Sequence, residues 1–177
     1  MINAYEYGKA LFALAEEEGI ADLVFSELEA VAEILARETE YRTLLDTPAI
    51  PTGEKPQLIE TAFASAHRYV RDFLKMLSER RSIGALGECV RVYGMCLDEA
   101  RGILRAKAVT AVAMSEAQTQ RLSEKLAALT GKTVVLTNVC DPSVIGGVSL
   151  HMDGTRLDGS VRAKLEAFRK QLSDLTI

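Results

Sequence analysis

The sequence offers few side chains that could carry out covalent chemistry. Gly147-Val-Ser149-Leu-His151 has the first glycine and the serine of a nucleophile elbow, but the second glycine of that motif is missing. If residues 144–152 form a strand, Gly147, Ser149 and His151 share one face, and an exposed polar edge explains them without catalysis. A small hydrolase acting through Ser149 or Cys140 is therefore the third of three functional hypotheses. An activity-based probe that labelled neither residue would exclude it.

Motifs for metals and cofactors are absent from the sequence. Its 3 cysteines and 2 histidines form no Cys-x-x-Cys or His-x-x-x-His pair, and Gly146-Gly147 lacks the spacing of a phosphate-binding loop. Cys89 and Cys96 lie in a helical pattern about 10.5 Å apart along the axis, too far for a disulfide, and are expected to be small buried side chains in a reducing compartment. We therefore expect no catalytic residue, no cofactor and no metal.

The elements that would position a site are mostly helical up to residue 104. Apolar residues recur there at spacings of three and four, which is typical of helices. The last of six such patterns is the clearest and runs from Leu86 to Leu104. Asp22 is expected to cap the second helix, and the third ends at Thr47 because Pro48 follows. The short connections predict an antiparallel six-helix bundle.

After Gly102 the pattern changes to that of a smaller α/β domain. Ser115 and Gln118 form a capping box, and Asp153-Gly154 is a hairpin turn signal. Gly146-Gly147 indicates a bulge inside a strand. The predicted elements are a strand over Leu104–Ala113, a helix from Ser115 to Gly131, strands over 133–139 and 144–152, and a terminal helix from Val161.

The charge distribution also divides the chain into two parts. Residues 1–104 carry 18 acidic and 11 basic side chains, whereas residues 105–177 carry 7 and 10. No cluster of lysine and arginine with interleaved aromatic residues occurs, which argues against nucleic acid as a partner. The predicted fold is mainly α with a small α+β part: an N-terminal six-helix bundle over 1–104 and a C-terminal α/β domain over 105–177.

The first helix has an unusual distribution of apolar residues. They fall on two stripes, Tyr7–Leu11–Leu14 and Gly8–Phe12–Ala15. Either the bundle encloses this helix fully, or its second face forms, with part of the fifth helix, a groove for a partner helix. The acidic run Glu16-Glu17-Glu18 lies at the helix C-terminus, where the macrodipole disfavours it. It is either a solvated end or a site that steers a basic partner.

Three stretches have a distinctive order and spacing. They are YGKALFALAEEEG over Tyr7–Gly19, the segment Phe73–Ala111, and DPSVIGGVSLHMDGTRLDGSVRAKLEAF over Asp141–Phe168. Together they resemble the delta subunit of F-type ATP synthases, the family of the mitochondrial oligomycin-sensitivity-conferring protein. The chain departs from that family at Cys140, where an aliphatic residue is usual. It departs again at His151 and at Asp153-Gly154, where the family has a basic residue and a Gly-Asp turn.

The resemblance implies a non-catalytic stator subunit of a proton-translocating ATP synthase. In that family the N-terminal helix of an alpha subunit binds between the first and fifth helices, and the C-terminal domain binds the b subunits of the peripheral stalk. The resemblance places the alpha-subunit groove at Tyr7, Leu11, Leu14, Phe73, Met76 and Arg80. It leads us to expect stalk contacts at Arg162, Arg169 and Lys170.

The resemblance also implies a location and leaves one alternative open. Because the N-terminus lacks the pattern of a transit peptide, we expect a bacterial protein on the cytoplasmic face of the cell membrane. It would be a monomer within the complex and would reach the membrane only through it. The alternative is a free-standing helical adaptor with another helical partner, and co-purification with ATP synthase subunits would separate the two.

Overall fold

The first part of the chain consists of α-helices and short connections. The computed structural model describes residues 2–48, 50–51, 53–152, 155–161 and 163. A 3-10 turn over Ile83–Ala85 precedes the last helix of this part. The helices are α1 (Ala4–Glu17), α2 (Ala21–Arg37), α3 (Thr39–Asp46), α4 (Lys55–Ala62), α5 (Arg68–Glu79) and α6 (Leu86–Ala100).

One apolar cluster holds these helices together, and Tyr93 of α6 lies in it. The Tyr93 ring stacks on Phe25 with centroids 5.8 Å apart and meets the edge of Phe12 at 5.5 Å. Its hydroxyl donates a hydrogen bond of 2.9 Å to the Ala21 carbonyl, which satisfies a polar atom inside the core. Other fully buried members are Val24, Leu28, Leu45, Ile59, Val70, Leu74 and Leu77.

Two predicted helix boundaries are wrong. The N-cap of α2 is Ile20, which makes no side-chain capping bond, so Asp22 lies within the first turn, where its negative charge suits the helix dipole. Helix α6 ends at Ala100, and Gly102 follows with φ 63°, so Leu104 belongs to the next strand. The chain divides into two compact units; the first ends at Leu97 and the second begins at Asp98.

The second unit is built on a mixed sheet of four described strands. These are β1 (Ile103–Thr110), β2 (Thr133–Cys140), β3 (Val148–Met152) and β4 (Thr155–Asp158), in the order β2-β1-β3-β4. Strand β1 pairs parallel with β2 and antiparallel with β3, and β3 pairs antiparallel with β4. Helix α7 (Glu116–Thr130) connects the two parallel strands. The chain is thus mainly α with an α+β part, as predicted.

The predicted capping box of α7 is confirmed. The Ser115 hydroxyl accepts a hydrogen bond of 3.3 Å from the Gln118 N–H, and the Gln118 side chain accepts one of 2.9 Å from the Ser115 N–H. Gly131 ends the helix at φ 70°, a left-handed conformation that glycine adopts readily.

The predicted strands are too long in two places. Strand β1 stops at Thr110 instead of Ala113, and β3 begins at Val148, so Gly146-Gly147 lies in a bend before β3 rather than in a bulge inside it. Gly147 has φ 80°, and a Cβ there would lie 2.7 Å from the Gly159 carbonyl oxygen. The predicted turn at 153–154 and the terminal helix beyond residue 163 lie outside the described residues. No described helix is long and apolar enough to cross a membrane.

Candidate partner-binding groove

Helices α1 and α5 lie side by side and run in opposite directions. Near the start of α1, the Tyr7 ring lies under the guanidinium of Arg80, at the C-terminal end of α5, with 5.8 Å between the guanidinium carbon and the ring centre. At the other end, the carboxylate of Glu18, the C-cap of α1, accepts a hydrogen bond from the hydroxyl of Tyr69 in the first turn of α5. The two contacts fix the antiparallel pairing.

The residues expected to form the groove occupy three environments. Leu11 and Phe73 are each 6% exposed and belong to the core. Tyr7 and Met76 are partly buried and pack against that core. Leu14 is 50% exposed, and Arg80 is also exposed. We call this surface the α1–α5 groove. Leu11 and Phe73 are its buried members, and its other members are Tyr7, Leu14, Met76, Arg80, Tyr69 and Glu18.

Two members of the groove were missed by sequence reasoning, Tyr69 and Glu18. Tyr69 lies four residues before Phe73, so it extends the stripe of α5 by about one helical turn. Glu18 lies four residues after Leu14 and extends the stripe of α1 in the same way. The hydrogen bond to Glu18 raises the pKa of the Tyr69 hydroxyl, because the carboxylate stabilises the protonated phenol. Glu18 is therefore bonded to α5, although all three glutamates of the run, Glu16, Glu17 and Glu18, are exposed.

The second stripe of α1 packs against α6. A Cβ at Gly8 would lie 2.5 Å from the Cys89 carbonyl oxygen, so α1 and α6 approach closely there. Phe12 meets the Tyr93 ring, and Ala15 is fully buried. The interpretation in which α1 is enclosed on every side is wrong, because Leu14 is half exposed.

The α1–α5 groove has an apolar middle and charged ends. Leu14 and Met76 form the middle; Arg80 lies at one end and Glu18 at the other, beside Arg68, whose guanidinium carbon is 5.3 Å from the Tyr69 ring centre. Such a surface can bury the apolar stripe of an amphipathic helix and pair with charges at both helix ends. It holds no reactive group.

The likeness to the delta subunit is borne out by comparison with known proteins. Residues 4–172 match the model of the family "ATP synthase delta (OSCP) subunit". The chain belongs to this family. ATP synthase subunit delta of Desulfitobacterium hafniense (strain DSM 10664 / DCB-2) is 37% identical over 171 residues, which covers 96% of each chain. The same subunit of Clostridioides difficile (strain 630) is 31% identical over 179 residues, with 99% of each chain covered.

A solved structure shares the fold. A chain of the cryo-EM structure of the Toxoplasma gondii mitochondrial ATP synthase hexamer superposes with a TM-score of 0.72 at 20% identity, covering 97% of this chain and 98% of that one. This likeness shows the fold; the resemblance read from the sequence is confirmed by the family match and by the two relatives.

Two side chains suggested a hydrolase, Ser149 in β3 and Cys140 at the end of β2. The Ser149 hydroxyl lies 3.4 Å from Nε2 of His151, but Ser149 is only 2% exposed. The prediction that it lies on an exposed polar edge is wrong, because β3 lies between β1 and β4. The carboxylate of Asp158 forms an ion pair with the guanidinium of Arg156, with 2.8 Å between the oxygen and the nitrogen. Among the described residues, no group of three potential metal ligands occurs.

The thiols give a direct test of the burial of Cys89 in α6. Burial raises the pKa of the Cys89 thiol to about 11, because it disfavours the thiolate, whereas Cys140 is exposed. At pH 8 we expect iodoacetamide to label Cys140 in the folded protein and to reach Cys89 only after unfolding, as read by peptide mass spectrometry. Equal labelling rates in the folded protein would contradict the burial of Cys89.

The residues expected to contact the stalk belong to the C-terminal segment of the sequence. Arg162, Arg169 and Lys170 lie outside the described residues. Their assignment to a stalk contact in this subunit family stays a prediction.

Proposed function

We propose that this delta-family chain is a non-catalytic stator subunit of a proton-translocating F-type ATP synthase. It joins the catalytic head to the peripheral stalk, so that torque from the rotor drives ATP synthesis instead of turning the head. The α1–α5 groove binds the N-terminal helix of an alpha subunit, and the second unit binds the b subunits. The observation that carries the proposal is the half-exposed apolar centre of the groove between two charged ends.

The groove has what a mechanical tether requires. A tether resists force only if its contact with the partner buries enough surface to bind tightly. A nanomolar dissociation constant corresponds to a binding free energy of about −12 kcal/mol. Leu14 and Met76 leave apolar surface for a partner helix, while Leu11 and Phe73 anchor the same stripes in the core. A partner bound there would pull on two helices that the core already holds together.

The same proposal gives the chain its place in the cell. As a stator part it works at the cytoplasmic face of the bacterial membrane, as a monomer held there by the complex, with neither a cofactor nor a nucleic acid. Arg162, Arg169 and Lys170 are assigned to the contact with the stalk.

The proposal is tested by calorimetric titration of the full chain with a peptide of the alpha-subunit N-terminal helix from the same organism. We expect saturable one-to-one binding with a negative heat-capacity change, because apolar surface is buried. A folded chain that failed to bind would contradict the assignment of the groove. Co-purification with ATP synthase subunits distinguishes the stator from a free-standing adaptor.

A further inference from the structure

The first turn of α5 is capped by a histidine. His67, the N-cap residue, accepts a hydrogen bond at its ring nitrogen Nδ1 from the Tyr69 N–H, with 3.3 Å between the two nitrogens. Serine, threonine, asparagine and aspartate usually fill this position and accept the bond through an oxygen. A histidine accepts it only while its ring is neutral, because both ring nitrogens of the protonated form are donors. The cap of α5 therefore depends on the charge of the His67 ring.

Tyr69, which His67 caps, is also a member of the α1–α5 groove. Its hydroxyl donates a hydrogen bond to the Glu18 carboxylate at the end of α1. The rings of His67 and Tyr69 meet edge to face, with 5.2 Å between their centres, and both side chains are partly buried. A change at the His67 ring therefore acts directly on the residue that links α5 to α1 at this end of the groove.

The start of α5 is a poor place for another positive charge. Its first turn contains Arg68 and no acidic side chain, and the N-terminal end of a helix carries a partial positive charge. An imidazolium at position 67 would add a full charge there and leave the Tyr69 N–H without its acceptor. The capped form of α5 therefore binds fewer protons than the uncapped form, so a fall in pH favours the uncapped form.

Glu27 of α2 offers the protonated ring a different partner. Its Oε2 accepts a hydrogen bond of 2.6 Å from the backbone N–H of His67, so the carboxylate lies beside the residue whose ring becomes charged. An imidazolium that turned from Tyr69 toward this carboxylate would form a charge-assisted hydrogen bond. The ring cannot cap α5 in that position, so the ion pair replaces the cap.

The other charged groups at this end of α5 come from three further helices and from α5 itself. They are Glu18 of α1, Glu27 of α2, Glu60 of α4, which is bonded to Arg71, and Arg68 and Arg71 of α5. Imidazole is the side chain that ordinarily changes its charge between pH 5 and 8. The sequence has 2 histidines, and His151 lies on β3 in the second unit. A mild fall in pH therefore acts on the groove through His67.

We propose that His67 makes partner binding in the α1–α5 groove sensitive to pH. With a neutral ring it caps α5 and holds Tyr69 in place against Glu18, which is the state that binds the partner helix. With a protonated ring the cap opens, and the groove binds that helix more weakly. This inference rests on the proposed function of the groove and adds a regulation of the same site.

Calorimetric titration of the full chain at pH 7.5 and at pH 5.5 tests the proposal, with the peptide of the alpha-subunit N-terminal helix as the ligand. We expect about fivefold weaker binding at the lower pH, or about 1 kcal/mol. In His67→Asn the amide oxygen caps α5 at both pH values, so its affinity should change by less than about twofold. His151→Asn, the matched control, removes the other histidine and should keep the fivefold change.

The outcomes separate this inference from the proposed function. If the parent chain binds equally well at both pH values, or if His67→Asn keeps the fivefold change, the inference is wrong while the groove stands. A folded chain that binds the peptide at neither pH overturns both. NMR of the full chain follows the cap itself: the Tyr69 amide resonance should shift over the same pH range as the ring protons of His67. An amide resonance that did not follow the ring would contradict the cap.

Discussion

Replacing Gly8 by alanine is expected to destabilise the first unit by about 1–3 kcal/mol, because the added methyl group overfills a close helix contact. The new Cβ would lie 2.5 Å from the Cys89 carbonyl oxygen and 3.0 Å from Cβ of Val92. Both obstacles belong to α6, and one is backbone, so α1 must move as a whole to make room. Urea unfolding followed by circular dichroism at 222 nm measures the loss.

Gly87→Ala is the matched control for this substitution. Gly87 lies in α6, and a Cβ there meets no atom within 4 Å. Alanine favours the helix over glycine by up to about 1 kcal/mol, so this variant should be as stable as the parent or slightly more stable. If Gly8→Ala behaved in the same way as Gly87→Ala, the close approach of α1 to α6 would be contradicted.

The local features of the fold were predictable from the sequence because neighbouring residues determine them. The capping box of α7 depends on Ser115 and Gln118 alone, and both hydrogen bonds form as expected. The start of α2 was not predictable in this way. Its first turn closes with a hydrogen bond from the Val24 N–H to the Ile20 carbonyl, so the helix begins before Asp22 could cap it.

The strand ends were missed because distant residues set them. Strand β1 pairs with β2 and β3 as far as Thr110, and neither partner continues the ladder beyond that residue. The side-chain pattern of the residues after Thr110 does not show where the strand pairing ends. The turn at Gly146-Gly147 likewise depends on the close approach of Gly147 to Gly159, which is a contact between distant segments.

The candidate sites also combine features that neighbouring residues determine with contacts between distant residues. The stripes of α1 and α5 follow from helical periodicity, but only the tertiary pairing shows that Tyr69 and Glu18 belong to one surface. A cavity of the second unit is lined by Val112, Arg121 and Ile145, which come from three separate segments. No spacing in the sequence connects these segments, so this surface could be found only from the fold.

The double substitution Tyr7→Ala with Met76→Ala is expected to weaken binding of the alpha-subunit peptide by about 100-fold, or about 2.7 kcal/mol. Both side chains are partly buried: Met76 lies in the apolar middle of the groove, and Tyr7 supplies the ring beneath Arg80. Truncating central aromatic and apolar anchors of an interface removes more than about 1 kcal/mol each. Calorimetric titration of the full-length variants measures the change, and circular dichroism confirms that they are folded.

Tyr5→Ala with Met95→Ala removes the same atoms from other surfaces. Tyr5 is 52% exposed and lies about 200° around α1 from Tyr7, and Met95 is 44% exposed on α6. We expect this control to change the affinity by less than about twofold. Because the two variants lose identical side chains, a difference between them reports position in the α1–α5 groove alone. Equal affinities in two folded proteins would show that the alpha-subunit helix binds elsewhere.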